Sequence, residues 1–324
     1  MNMRSLIRLF VAAGVCALSI SAGAQEKQPA SAATHTQAEE EALLKQGATS
    51  FDSSVAAAIE VKKAKTGHLL VKPVVNGKDA GWFIFDTGAG ICVVSTPQVE
   101  PLGLTRAGDI EATGVGGGKN APVYRAKDIQ LGAMKLSDVP LMETDLSFLD
   151  VHMGEKIAGV IGFGVLSRSV AVIDLEKPAI SLFDPATYKL AKGEWTKADI
   201  KDRIPVINAT FEGHEGRFRL DTGDHTTVIF HAPSVEKYDL LKGRETKDIK
   251  VGGVGGMLPA KRGTIASLEI GGMKLENLQA DFALEKKGSF GDPDKDGNIG
   301  TAVLGKFLLI TDYTNERLAL VARE

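Results

Sequence analysis

The chain has 324 residues, 44% of them hydrophobic, and a formal net charge of −3. That length and apolar content suffice for one large domain or two modest ones, and the slightly negative charge leaves no basic footprint for nucleic acid. The six histidines show no metal-ligand spacing and no Gly-x-Ser-x-Gly elbow occurs, so metalloprotease and serine-hydrolase signatures are absent, and no cofactor or metal is expected.

In chain order, residues 1–24 read as a signal peptide: Arg4 and Arg8 give a positive start, residues 9–20 are apolar, and Ala22-Gly23-Ala24 fits a cleavage site before Gln25. The expected product is exported, periplasmic or secreted. It has no stable membrane span, because no later hydrophobic segment approaches spanning length. Cys16 falls in the removed segment. Cys92, alone in the mature chain, sits in Ile91-Cys92-Val93-Val94 as a small buried hydrophobe. Residues 25–66 form an N-terminal polar and helical segment. Its first half suits a tether or frayed helix, and the spacing of Phe51, Val55, Ala58 and Ile59 predicts a short helix that packs on the first lobe or covers a cleft.

From residue 67 the pattern turns to strands. The runs 69–75 and 82–85 flank an Asn76-Gly77 hairpin signal, and the runs 204–211 and 217–220 flank Glu212-Gly213. Short β-rich runs separated by glycine turns continue to the C-terminus and predict an all-β architecture. Brief helices are expected around Val165-Leu166-Ser167 and Lys306-Phe307-Leu308, and residues 186–203 read as a connection.

Asp-Thr-Gly occurs twice, each time after a hydrophobic run: Asp86-Thr87-Gly88 followed by Ala89, and Asp221-Thr222-Gly223 followed by Asp224. A single copy would be an ordinary turn, but more is repeated. Gly114-Val115-Gly116-Gly117 is answered by Gly253-Val254-Gly255-Gly256. Leu131-Gly132-Ala133-Met134 is answered by Ile270-Gly271-Gly272-Met273. Val160-Ile161-Gly162 is answered by Val303-Leu304-Gly305. The offsets drift only from 135 to 143 residues, so the chain contains two related halves.

This order of motifs resembles the aspartic proteases of the retropepsin and pepsin kind. The resemblance covers residues 67–185 and 204–324, and each half is close in length to a retropepsin subunit. It implies a bilobal acid-protease fold, two retropepsin-like β-barrel lobes related by a pseudo-twofold axis, in an aspartic endopeptidase. Asp86 and Asp221 would be the catalytic pair. Thr87, Gly88, Thr222 and Gly223 would support the loops, the threonines by hydrogen bonds across the lobe interface. Gly114, Val115, Gly116, Gly117, Gly253, Val254, Gly255 and Gly256 would form flaps over a peptide or protein substrate bound as an added strand. With both halves in one chain, a monomer suffices.

Two adjacent carboxyl groups in a partly desolvated cleft cannot both ionise easily, so they share a proton. The ionised member can take a proton from water while the protonated one polarises the scissile carbonyl.

Lobe 2 departs from the pattern. Asp224 stands where a small residue is usual, followed by His225, and Arg219 stands where lobe 1 has Ile84. Arg219 is expected to pair with Asp224 or the catalytic pair, retuning the second loop toward narrow specificity or altered pH dependence. The alternative has Asp224 turned outward, accepting backbone hydrogen bonds. The run 292–299 resembles half of a calcium loop, yet Val303 stands where a bidentate Glu belongs, which favours an acidic surface turn. Two rivals stay open: a catalytically inactive protease-derived peptide-binding module, and a dimer using lobe 1 alone.

Overall fold

The computed structural model describes residues 9–10 and 37–323. The expected signal peptide therefore lies outside the described residues apart from Leu9–Phe10, a two-residue strand that pairs in parallel with residues 112–113. Residues 25–36, the first part of the expected tether or frayed helix, lie outside them too. No described helix is long and apolar enough to cross a membrane.

The chain is mostly β and forms two curled sheet bodies, the two lobes expected from the repeated halves. In lobe 1 the path runs Thr105–Gly114, Gly117–Leu131, Met134–Thr144, Cys92–Ser95, Ile157–Ile161, Trp82–Phe85 and Leu69–Val71. Lobe 2 repeats the plan with Lys247–Gly253, Gly256–Ile270, Met273–Ala283, Val228–Phe230, Gly297–Ile299, His214–Leu220 and Val206–Phe211. Its last strand also pairs back onto Gly256–Ile270, which curls the sheet on itself. In each lobe a tight hairpin falls at the repeated Gly-containing turn, with Gly132 at φ 55° and Gly271 at φ 56°. These positive φ values favour glycine, which has no Cβ to clash.

A five-stranded sheet joins the halves, in the order Ala179–Phe183, Val170–Asp174, Phe307–Asp312, Arg317–Ala322, Thr196–Lys197. Strands of both halves interleave here, and the stretch expected as a bare connection supplies Thr196–Lys197. The core runs through this sheet into both lobes. In lobe 2, Phe211, Phe218, Phe230 and Phe282 pack ring to ring, each fully buried and worth roughly 1.5–3 kcal/mol in apolar burial.

Two expected helices are replaced. Residues 51–65 form no helix: Thr49–Phe51 pairs with residues 134–136, Ala58 bridges to Ser181, and Val61–Lys63 pairs with Leu69–Val71. The Asp52 carboxylate accepts from both the backbone and the hydroxyl of Ser54, an Asx turn that competes with helix. A helix forms instead at Gln37–Leu44. The strand Phe307–Asp312 takes the second expected position, and the helix comes earlier, at Thr301–Leu304. Around the other expected position, Phe163–Leu166 is helical.

Candidate active site

Trp82–Phe85 and His214–Leu220 each deliver an Asp-Thr-Gly loop to the contact between the lobes. The loops start alike: the Asp86 N–H donates to the Ile161 carbonyl at 2.9 Å, and the Asp221 N–H to that of Ile299 at 3.0 Å. The threonines then cross. Thr87 Oγ1 donates to the Leu220 carbonyl at 2.7 Å and Thr222 Oγ1 to that of Phe85 at 2.8 Å. Each hydroxyl also accepts the other threonine's N–H at 3.0 Å. Four bonds thus lock the two loops together, and Tyr313 adds a fifth, its hydroxyl donating to the Thr87 carbonyl at 3.1 Å.

The lock brings Asp86 and Asp221 together, both fully buried. The Gly88 N–H donates to Asp86 Oδ1 at 2.7 Å. The Gly223 N–H is shared between Asp221 Oδ1 at 2.9 Å and Asp86 Oδ1 at 3.1 Å. A Cβ on Gly88 would collide with the Asp221 carboxyl, so glycine is required there for close approach. Burial pushes Asp86 up to about 7, against the pull of the Gly88 and Gly223 amides, with the Asp224 charge adding a rise. Burial, then the Asp86 charge, holds Asp221 well above the usual carboxylate range. Such a pair takes up and releases protons as a unit.

The two carboxyls differ at their outer oxygens. Asp86 Oδ2 has no hydrogen-bond partner. Asp221 Oδ2 accepts from Asn298 Nδ2 at 2.9 Å, and Asn298 Oδ1 meets His231 Nε2 at 3.0 Å, which fits an imidazole protonated at that nitrogen. His231 is fully buried, and burial brings it down to about 4, so it is neutral near pH 7. Sequence comparison of the halves missed Asn298. The structural counterpart of Ile161-Gly162 is Ile299-Gly300, because Phe163 N–H donates to the Ala89 carbonyl at 2.8 Å just as Thr301 N–H donates to that of Asp224 at 2.7 Å. The lobe 2 motif is therefore Asn298-Ile299-Gly300, with Asn298 in the place of Val160. Val303-Leu304-Gly305 belongs to the following helix and its end. The polar residue broke the apolar pattern that identified the motif.

His68, also unforeseen, clamps the second loop from lobe 1. Its Nε2 meets the Gly223 carbonyl at 3.0 Å and its Nδ1 meets Thr66 Oγ1 at 2.6 Å. Burial brings it down to about 4, which leaves it neutral near pH 7. Its position before an apolar strand gave no distinguishing signal.

Asp224 does not turn outward. It is fully buried; Oδ1 accepts the Thr226 N–H at 2.7 Å, and the Thr226 hydroxyl also acts on the carboxyl. Burial first, then the Asp221 charge, pushes it up to about 8. The ion pair found for Arg219 is with Asp292, at 2.5 Å, rather than with either expected partner, and its Nη1 donates to the Ser289 carbonyl at 3.1 Å. Its charge still reaches Asp221 and lowers it. The calcium-like run is engaged by protein groups. Asp292 binds Arg219, and Asp296 accepts from the Arg217 N–H at 2.8 Å and the Ser234 hydroxyl at 2.7 Å. Among the described residues no group of three or more His, Cys, Asp or Glu could hold a metal ion. Cys92 is buried, as a small hydrophobe would be.

The glycine runs form the tips of two long hairpins, and the tips exchange lobes. Val254 joins an apolar cluster of lobe 1, with Ala89, Val93, Val123 and Met142. Val115 joins one of lobe 2, with Ile229, Val251, Leu258 and Phe290. The backbones touch where they cross: a Cβ on Gly114 would strike the Val254 carbonyl, and one on Gly116 would strike that of Gly255. A cavity of about 360 Å³ lies beside the second tip, lined by Lys119, Thr144, Phe148, His152, Val254 and Met257 among others.

No curated protein matches the chain. The family model described as aspartyl protease matches it twice, over residues 71–165 and 207–303. Each match spans one Asp-Thr-Gly loop and one glycine-tipped hairpin, and together they cover more than half the sequence: the chain belongs to the aspartyl protease family.

Proposed function

We propose that the protein is an aspartic endopeptidase that hydrolyses peptide bonds with a water activated between Asp86 and Asp221. The observation that carries this reading is the buried carboxyl pair, fixed by four cross-lobe threonine bonds and raised toward neutrality by burial. In the singly protonated pair the carboxylate takes a proton from water, whose oxygen attacks the scissile carbonyl. The carboxylic acid polarises that carbonyl, and the proton gained is passed to the leaving amine. The flaps lift to admit an extended peptide and then close on it, giving main-chain hydrogen bonds. One chain supplies both carboxyls, so a monomer is the working unit. Residues 67–185 and 204–324 are its lobes, residues 186–203 their link, and residues 1–24 a leader that exports it to the periplasm or the medium.

The test is cleavage of a diverse peptide mixture by residues 25–324, from acidic to neutral pH, beside Asp86→Asn and Asp221→Asn. Cleavage that each substitution abolishes supports one shared pair. Loss with Asp86→Asn alone points to dimers built on lobe 1. A folded wild-type protein that binds peptides without cutting them is the inactive binding module.

A further inference from the structure

The segments that follow Met134–Thr144 and Met273–Ala283 are a further pair of repeats, and the two lobes use them differently. The first carries a 3-10 turn at Ser147–Leu149 and the second one at Gly288–Gly291. Ser147-Phe148 is answered by Ser289-Phe290, at a spacing inside the range of the other repeats. In lobe 2 the segment closes on the first flap tip. A Cβ on Gly288 would strike the Gly114 and Val115 carbonyls, and Phe290 is fully buried in the cluster that holds Val115.

In lobe 1 the counterpart stays open. Phe148 is 48% exposed, and it lines the cavity of about 360 Å³ beside the second flap tip. Leu149, Val254 and Met257 supply the other apolar walls, and the glycines of the tip bring bare backbone to it. Met257 is itself 42% exposed. At the edge, Lys119 Nζ donates to the Thr144 hydroxyl at 3.1 Å. Large apolar side chains left open to water around a concave site mark a place where something binds. The recess is also continuous with the site already described. Its walls Leu149 and Val254 belong to the apolar cluster that contains Ala89, the residue after the first Asp-Thr-Gly.

We propose that this recess is a subsite for a large apolar substrate side chain, aromatic above all, and that the closed lobe 2 side offers no equal to it. This rests on the endopeptidase reading above. An entering ring takes Phe148 and Met257 out of water together. Edge-to-face or offset contact suits the Phe148 ring, and the polarisable Met257 sulfur suits an aromatic edge. A small side chain would leave both exposed. With one side open and the other filled by Phe290, the two ends of the cleft are distinguishable, which fixes the direction in which a peptide lies.

Cleavage-site profiling of a peptide mixture tests it. Wild type should show an aromatic or large aliphatic residue at one fixed position on one side of the cut, with a weaker preference at the mirror position. Phe148→Ser and Met257→Ala each remove an exposed wall of the recess, where the fold tolerates change. Each should narrow the kcat/KM ratio between a phenylalanine-containing peptide and its alanine analogue by on the order of tenfold. A wild-type profile without such a position, one with equal preference on both sides, or a ratio unchanged in both variants overturns the proposal while leaving the protease reading intact. If nothing is cleaved, the paired binding of phenylalanine- and alanine-containing reduced-amide peptides still decides it. Tighter phenylalanine binding lost in Phe148→Ser supports the subsite, and equal binding overturns it.

Discussion

Asn298 holds the outer oxygen of Asp221 at 2.9 Å, whereas the outer oxygen of Asp86 has no partner. The pair is thus chemically lopsided, since an amide donor favours the ionised form of the carboxyl it contacts. Replacing Asn298 with valine, the residue at the lobe 1 position, removes that preference. The limb of the kcat/KM–pH profile set by Asp221 should move up by about 1–2 pH units, the equivalent of a hydrogen bond to a charged group, with KM little changed. A purely structural role would lower activity without moving the limb. Arg219, Asp224 and Tyr313 also act on the pair electrostatically or feel its charge, so the shift should be read against wild type in the same buffers.

Stability should fall on both sides of a mildly acidic optimum. Asp86 and Asp224 are raised to about 7 and about 8, so the folded state holds protons that the unfolded chain releases near pH 4. Their contribution is complete below that and lost as pH rises through 7 to 8. His68 and His231 are lowered to about 4; they favour the fold above about pH 6.5, and their contribution is lost as pH falls through 4. Thermal unfolding across pH should show the dome, and Asp224→Asn, which cannot ionise, should raise Tm near pH 8 relative to wild type. An unchanged alkaline limb would show that Asp224 ionises without cost in the folded protein.

Thr222→Val keeps the volume but removes the donor to Phe85 and the acceptor for the Thr87 N–H. Two buried bonds lost should cost about 2–4 kcal/mol, seen as a lower urea midpoint, with activity falling further as the loops lose alignment. Thr222→Ser, which retains both bonds, should stay close to wild type.

Arg219→Met strands the Asp292 carboxylate in a buried site that Lys295 only partly covers, at 3.7 Å. Breaking one side of a buried pair costs roughly 3–5 kcal/mol. Adding Asp292→Leu should recover much of that loss, because an apolar pair of similar volume needs no counter-charge. Chemical denaturation of the single and double variants reads the difference; equal stability of the two would mean that Asp292 finds another partner.

The duplicated Asp-Thr-Gly loops, the glycine-tipped hairpins and the all-β character were legible because each is a local pattern whose residues suit the backbone they adopt. Residues that matter through a distant contact were not. Asn298 disguised its own motif by breaking an apolar pair, and His68 acts on Gly223 across 155 positions of sequence. Arg219 was noticed as unusual, but its partner Asp292 lies 73 residues away, in a run that imitated a calcium loop. The segment after Phe51 showed helical spacing yet went to strand, because edge pairing with two neighbouring strands and an Asx turn outweighed weak local preference.

Because Val115 is seated among lobe 2 residues and Val254 among lobe 1 residues, neither hairpin can rise without dragging its own tip out of the other half. The two tips also touch backbone to backbone at Gly114 and Gly116, so displacing either one disturbs the other. A half-chain made alone would carry one stranded valine and one vacant apolar socket, so separating the lobes would expose two sticky surfaces at once. The duplication has become a mutual clasp, and a change at either tip should be felt on both sides of the molecule.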